Sequence, residues 1–313
     1  MAKVKSVFFC QNCGFESPKW MGKCTSCNEW NTFVEEKVMQ KNSGKTQVFT
    51  EEKSLPININ TIESGDIPRL KSNIGEFNRV LGGGFVPGSV ILLGGEPGIG
   101  KSTLSLQLCL ELSNRKAVYV SGEESALQIK MRSDRLKGKN DNCIIYTETD
   151  LGKIISQLHK LEPELVIIDS IQTLNNPIIE STPGSISQIR ECTGELLRFA
   201  KTMNTPVVLI GHITKDGAIA GPKVLEHMVD CVLQFEGDRN HVFRILRSTK
   251  NRFGSTNELG IFEMKMTGLE EVSNPSDVLI TNRNQELSGV AIAASMEGLR
   301  PMLIVTQALV SSA

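Results

Sequence analysis

Short, almost unbroken apolar runs recur through the middle of the chain, separated by longer stretches with helical periodicity. Ser89-Val-Ile-Leu-Leu93, Ala117-Val-Tyr-Val-Ser121, Cys143-Ile-Ile-Tyr146, Leu165-Val-Ile-Ile-Asp169 and Val207-Val-Leu-Ile-Gly211 are each too apolar to leave one face in water. Such strands belong to a mainly parallel sheet covered by helices on both sides, an α/β fold. Thr103–Leu112 has the length and composition of a buried helix. Upstream, Ile74, Phe77, Val80 and Leu81 fall on one helical face, which three glycines end. Asp230–Phe235, His241–Ser248 and Ile261–Met266 follow one another as strands and predict an antiparallel extension of the sheet. Residues 35–60 are polar and aperiodic and contain Pro56, which reads as a linker.

Composition narrows this picture. At 313 residues, 40% hydrophobic and 22% charged, the chain suits two globular domains rather than one. It has no run of 18 apolar residues, and its N-terminus lacks the apolar core of a signal peptide, so no membrane partner and a cytoplasmic location are expected. A formal net charge of −1 gives no global attraction to nucleic acid, so any such binding must use local patches. Of eight cysteines, Cys109, Cys143, Cys192 and Cys231 sit among apolar neighbours and read as buried, inert thiols.

The other four form a C-x2-C-x10-C-x2-C array: Cys10, Cys13, Cys24 and Cys27. Two tight turns, each presenting two thiolates, complete a closed tetrahedral Zn²⁺ shell, which is a structural site. So small a segment buries too little apolar surface to fold without its metal. Trp20 and Trp30 are expected to pack over the cluster, or else to form a contact surface for DNA or a partner.

Gly95-Glu96-Pro97-Gly98-Ile99-Gly100-Lys101-Ser102, followed by Thr103, fits the phosphate-binding pattern G-x4-G-K-[ST] between a strand and a helix. Glycines let backbone N–H groups curl around phosphate oxygens, and the helix N-terminus adds partial positive charge. Lys101 is expected on the β- and γ-phosphates and Ser102 on Mg²⁺, with Asp169, at the end of its strand, as the acid on the Mg²⁺ side. In Tyr119-Val-Ser-Gly-Glu-Glu-Ser125, Glu123 is the candidate base that polarises water, with Glu124 in support. A base from this strand fits the RecA-like branch of phosphate-loop ATPases. Two connections, Thr173–Gln188 and His212–Lys223, look built to move, and Lys215 and Lys223 suit tracking of a nucleic-acid backbone. Lys250 and Arg252 are expected to point the same way from a turn, with no anionic partner in an isolated monomer.

Taken together, Cys10-Gln-Asn-Cys13-Gly14, Pro18-Lys-Trp20, Trp30-Asn-Thr32, the phosphate loop, Val120–Ser125, Ala220–His227 and Lys250-Asn251-Arg252-Phe253-Gly254 resemble the bacterial RadA (Sms) family of DNA repair proteins. The likeness runs from residue 1 to the end, and the last pentapeptide looks like that family's own signature. It implies a zinc-finger, RecA-like, DNA-dependent ATPase that uses ATP and Mg²⁺ on recombination intermediates. It also implies a hexameric ring around single-stranded DNA, work alongside a RecA-type recombinase, and a DNA-coupled motor role for Lys250–Gly254. Arg252, assisted by Lys250, would act across the subunit boundary on the neighbour's nucleotide.

Members of that family continue into a C-terminal domain similar to the Lon protease fold, of which Gly289–Ser295 and Arg300–Thr306 look like the first strands. The expected organisation is a C4 zinc ribbon (1–34), a linker (35–60), a RecA-like ATPase domain (61–272) and a truncated start of the Lon-like domain (273–313). The expected activity is branch migration driven by ATP on single-stranded and branched DNA. The alternatives are a KaiC-like ATPase acting on protein, or a zinc-ribbon adaptor that uses its nucleotide as a switch.

Overall fold

The computed structural model describes residues 4–11, 13–39, 56, 58–61, 68–213, 219–220, 224–237, 242–274, 276, 289–297 and 300–308. Its first unit is a three-stranded antiparallel sheet of β1 (Val4–Cys10), β2 (Glu16–Ser17) and β3 (Phe33–Met39), in the order β2-β1-β3. Strand β3 runs past residue 34 because each of its residues pairs with one of β1, up to Met39 against Val4. The sheet therefore takes in the start of the segment whose polarity reads as linker.

The main sheet has nine strands: β4 (Val90–Gly95), β5 (Ala117–Ser121), β6 (Cys143–Tyr146), β7 (Leu165–Asp169), β8 (Val207–Ile210), β11 (Cys231–Glu236), β12 (Phe243–Asn251), β13 (Leu259–Lys265) and β14 (Gly268–Glu271). Strands β9 (His212–Ile213) and β10 (Ile219–Ala220) pair separately as a short antiparallel hairpin. The order of the main sheet is β14-β13-β12-β11-β4-β8-β7-β5-β6. Pairing is parallel from β11 through β6 and antiparallel from β11 through β14, which is the extension expected from the sequence.

Alternate residues of the parallel strands feed two separate cores, as a period of two requires. Ile91, Leu93, Tyr119 and Ile167 pack beneath α1 (Gly75–Val80), α2 (Lys101–Glu111) and α3 (Ala126–Arg135). Val90, Leu92, Val118, Val166 and Ile168 pack beneath α4 (Leu151–Leu161), α5 (Ile186–Met203) and Leu225 of α6 (Val224–Met228). Helices α3, α4 and α5 begin at the side-chain caps Ser125, Asp150 and Ser185. Helix α2 begins at Gly100 in the left-handed region, with no side-chain cap. Its first N–H groups are left for something other than protein.

The connection 173–188 is tied to the core at its C-terminal end. Helix α5 starts inside it, and Gln188, fully buried, ties the loop down. Its Oε1 accepts from Asn176 N at 2.8 Å, and its Nε2 lies 3.0–3.1 Å from acceptors on Asn175, Asn176, Ile179 and Ser181. A buried amide meeting so many backbone groups substitutes for a ladder the loop lacks.

The ribbon rests on the start of α5. Val7 and Phe9 pack on Ile186, Arg190 Nη1 donates to Gly14 O at 3.2 Å, and Ser187 Oγ donates to Glu36. At the other end, β15 (Val290–Glu297) and β16 (Arg300–Gln307) form an antiparallel hairpin. Arg300 ties it to the core through Glu76 at 2.8 Å and Ser273 O at 2.6 Å.

Candidate active site and metal centre

Neighbouring strands β4 and β8 send their connections in opposite directions along the sheet, to β5 and past β4 to β11, and the phosphate-loop sequence follows β4 directly. Ligands sit in the crevice outside the carboxyl ends of strands at such a point. A Cβ on Gly95 would lie 2.6 Å from Phe235 O, so the loop leaves the sheet flush against β11. Gly98 has φ +79° and open space where its Cβ would be. Lys101 is 4% exposed and turns back over the loop, its Nζ donating to Gly95 O at 2.7 Å and Glu96 O at 2.9 Å. Burial lowers its pKa to about 8, against the opposing pull of Asp169, Glu123 and Glu96. That pull brings the lysine and the carboxylates of β5 and β7 into one electrostatic unit.

Register delivers those carboxylates. Ser121 is paired with Asp169, so the ends of β5 and β7 are level. Asp169 is 3% exposed; Tyr119 donates its phenol proton to Oδ2, and Oδ1 is buried with no hydrogen-bond partner. An orphaned carboxylate oxygen at this place fits a bound cation or its water, which makes the residues present a fit for Mg²⁺. Burial, and then the charge of Asp169, push the Tyr119 phenol pKa well up, so it stays a donor. Ser170 Oγ donates to Glu123 Oε1 at 2.6 Å, and Ser121 Oγ accepts from the Glu123 and Glu124 N–H groups at 3.3 and 3.1 Å. Glu124 instead pairs with Arg132 of α3. The two adjacent glutamates thus have different holders.

Tyr119, Ser170 and Arg132 were given no role by sequence reasoning. Tyr119 carried a usable signal, because a tyrosine inside an otherwise aliphatic buried strand must find a partner for its hydroxyl.

Lys250–Gly254 lies at the opposite edge of the sheet. Cys231 pairs with Ile91 on one side and Asn251 on the other, whereas Phe235 pairs with Gly95. Four residues of strand, about 13 Å, therefore separate the pentapeptide's level from the phosphate loop. The expectation that a monomer offers these cations no anionic partner is corrected. Arg252 Nη1 lies 3.1 Å from Asp230 Oδ1, and Lys250 Nζ donates to Glu226 O at 2.6 Å and Val229 O at 2.8 Å at the end of α6. Asp230, 2% exposed, also accepts from Val90 N and faces Lys201, each at 3.0 Å. Asn251 Nδ2 donates to Leu81 O at 3.3 Å, Phe253 O accepts from Arg69 at 2.7 Å, and a Cβ on Gly82 would lie 3.2 Å from Gly254 Cα. The segment is folded onto the glycine turn after α1. Lys215 and Lys223 lie outside the described residues.

The four N-terminal cysteines converge. Their sulfurs all lie within 4.8 Å of one another, with Cys10 to Cys27 at 3.6 Å and Cys13 to Cys24 at 3.5 Å. A tetrahedral shell with Zn–S bonds of about 2.3 Å requires sulfurs about 3.8 Å apart, so the cluster fits zinc. Each C-x2-C pair closes the same way. Gly14 N donates to Cys10 O at 2.8 Å and Asn28 N to Cys24 O at 2.9 Å, with Gly14 (φ 70°) and Asn28 (φ 63°) in the left-handed region. The expectation that tryptophans cover the cluster is corrected: Phe33, Phe8 and Met21 do so, while Trp20 and Trp30 are 55% and 67% exposed. Among the scattered cysteines Cys109, Cys192 and Cys231 are buried and Cys143 is half-buried, all as free thiols.

Comparison with known proteins assigns the two regions to families. Residues 8–35 match the rubredoxin metal binding domain family and residues 64–218 an AAA domain family. The chain binds Zn²⁺ at the first and ATP with Mg²⁺ in the second. Residues 273–313 fall outside both matches. Among solved structures, the RadB recombinase is 25% identical, with a TM-score of 0.52 over 65% of this chain and 100% of that one. A KaiC-like protein of Pyrococcus horikoshii OT3 is 20% identical and shares the fold, with a TM-score of 0.53 over 66% of this chain and 100% of that one. DNA repair protein RadA of Bacillus subtilis (strain 168) is 53% identical over 99% of this chain and 69% of its own length. RadA of Listeria monocytogenes serovar 1/2a gives the same figures. Identity at that level, spanning ribbon, phosphate loop and pentapeptide alike, shows that the chain belongs to the RadA family of DNA repair proteins, with a RecA-like ATPase core behind an N-terminal zinc ribbon.

Proposed function

We propose that the protein is a cytoplasmic, DNA-stimulated ATPase motor that processes recombination intermediates and promotes branch migration on single-stranded and branched DNA. The observation that carries this reading is the arrangement of Glu123 beside Asp169 and opposite Lys101, at the ligand edge of the sheet. Gly95–Thr103 hold the triphosphate, Ser102 and Asp169 the Mg²⁺ side, and Glu123 polarises the attacking water. Mg²⁺ supplies neutralisation of charge on the phosphate oxygens. Ser170 aims Glu123, and Arg132 keeps Glu124 out of its way.

The same reading makes the nucleotide site complete only between subunits of a ring, six in number by the family resemblance, working with a RecA-type recombinase. Lys250 and Arg252 are a strand length from their own phosphate loop, which supports action on a neighbour's nucleotide rather than their own. Arg252 must then give up Asp230, and Lys250 is better suited to holding the turn. DNA contacts are assigned to Lys215, Lys223 and Lys250–Gly254. The hairpin β15–β16 is read as the start of a Lon-like domain.

Phosphate release measured with and without single-stranded DNA tests the reading. Strong stimulation is the expected result. A rate indifferent to DNA sinks the motor and returns the field to a protein-directed KaiC-like ATPase or a nucleotide-switch adaptor. Mixing Arg252→Ala with Glu123→Gln subunits tests the trans contact. Interfaces that join the two good halves should recover activity, and verified mixed rings with none exclude it.

A further inference from the structure

We infer that the zinc ribbon carries a stacking platform for single-stranded nucleic acid, formed by Trp20 and Trp30 with Lys19 and Lys23 along one side. The inference rests on the DNA-directed reading above but adds a contact at the ribbon, made by residues other than those of the phosphate loop and Lys250–Gly254. Its starting point is an apolar surface the ribbon does not need. Phe33 is 6% exposed and, with Phe8 and Met21, already shields the thiolates. The two largest side chains of the unit are nevertheless left more than half in water, at 55% and 67%.

They are also left together. A Cβ at Gly22 would meet Trp20 Cη2 at 3.7 Å and Trp30 Cζ3 at 3.9 Å, so both indoles converge over one small residue. Their combined exposed area is about 300 Å², from typical tryptophan areas. That reaches the lower end of the range, about 300–600 Å², of the largest apolar patch on a typical monomer, and such patches are often functional. The backbone beneath is fixed. Asn31 N donates to Gly22 O at 2.8 Å, Lys23 bridges to Trp30, and Cys24, a ligand of the metal cluster, follows immediately. The rings are therefore presented on a rigid, metal-pinned frame, which lowers the entropy lost on binding.

The cations decide the partner. Lys23 Nζ sits 5.6 Å from the Trp30 ring centroid, and Lys19, exposed, leads into Trp20 from a turn closed by Ser17 Oγ donating to Lys19 O at 2.6 Å. Glu29 precedes Trp30, so the basic side of the platform is the Lys19–Lys23 loop. Flat aromatic faces with adjacent cations match a strand that offers base faces and phosphates at one repeat. An apolar protein surface would be served by the indoles but would desolvate the lysines without compensation.

The chain supplies its own reporter, because Trp20 and Trp30 are its only tryptophans. Unmodified, zinc-loaded protein is titrated with oligo-dT while tryptophan emission and the anisotropy of an end-labelled oligo-dT are followed. Stacking predicts that emission is quenched and saturates together with anisotropy. Trp30→Ala should weaken binding on the order of 10-fold, Trp30→Phe should restore most of it, and Lys23→Ala should lower the salt slope by about one. Equal zinc content in parent and variants shows that the ribbon has folded. Normal anisotropy with unchanged emission, and Trp30→Ala binding like the parent, overturns the platform while leaving DNA binding in place. No anisotropy change with any protein removes the DNA reading itself. Emission altered only by a protein partner, never by oligo-dT, assigns the face to that partner and also overturns the proposal.

Discussion

Lys101 should make nucleotide binding sensitive to mild alkali. Its ammonium is buried, which brings its pKa from 10.5 to about 8 despite the three nearby carboxylates. A triphosphate places further negative charge beside Nζ and favours the charged lysine, so binding takes up whatever proton the free protein has lost. With a free-state value of about 8, roughly nine lysines in ten are charged at about pH 7 and roughly one in ten at about pH 9. If the charged form binds, affinity falls about 10-fold between those two pH values, equivalent to ~1.4 kcal/mol. Folding stability of the unliganded protein moves the other way. The folded pKa lies below the unfolded one, so the unfolded chain holds more protons between about pH 8 and 10.5, and stability rises with pH there. Calorimetric titration with a slowly hydrolysed ATP analogue, in buffers of different ionisation heat, reads affinity and proton uptake together. Lys101→Arg, charged throughout, should abolish the pH dependence. A flat affinity from about pH 7 to 9.5 with no proton uptake would refute the electrostatic reasoning.

Two further outcomes follow from the other groups. Protein prepared without added zinc should hold one ion per chain, contributing roughly 10 kcal/mol or more to folding of the ribbon. Less than half an equivalent, with thiols intact and no chelator used, counts against the site. Glu123→Gln should leave nucleotide binding nearly unchanged and slow hydrolysis about 10²-fold or more, whereas Glu124→Gln loses its pairing with Arg132 and should act mainly on stability. Normal turnover in the first variant with loss in the second would exchange the two roles.

Whatever depends on neighbours along the chain was legible in the amino-acid sequence. Strand apolarity fixed a doubly covered parallel sheet, since Val90–Leu93 or Leu165–Ile168 cannot bury only one face. The phosphate loop and the two C-x2-C turns were legible for the same reason, as each function is built from residues within a few positions of one another. The tertiary structure decided what depends on contacts far apart in sequence. Pairing of Cys231 with both Ile91 and Asn251 sends the pentapeptide to the edge away from the phosphate loop, and no property of residues 250–254 encodes that. Gln188 turned a loop that composition made look free into an anchored one, because a single buried amide reaches acceptors up to 13 positions away. Hydrophobicity alone does not separate a tryptophan that covers the metal from one that offers a contact surface. A ribbon this small has room for little aromatic surface over its metal, and which rings take it is settled by packing: Phe33 and, in part, Phe8 went in, and Trp20 and Trp30 stayed out.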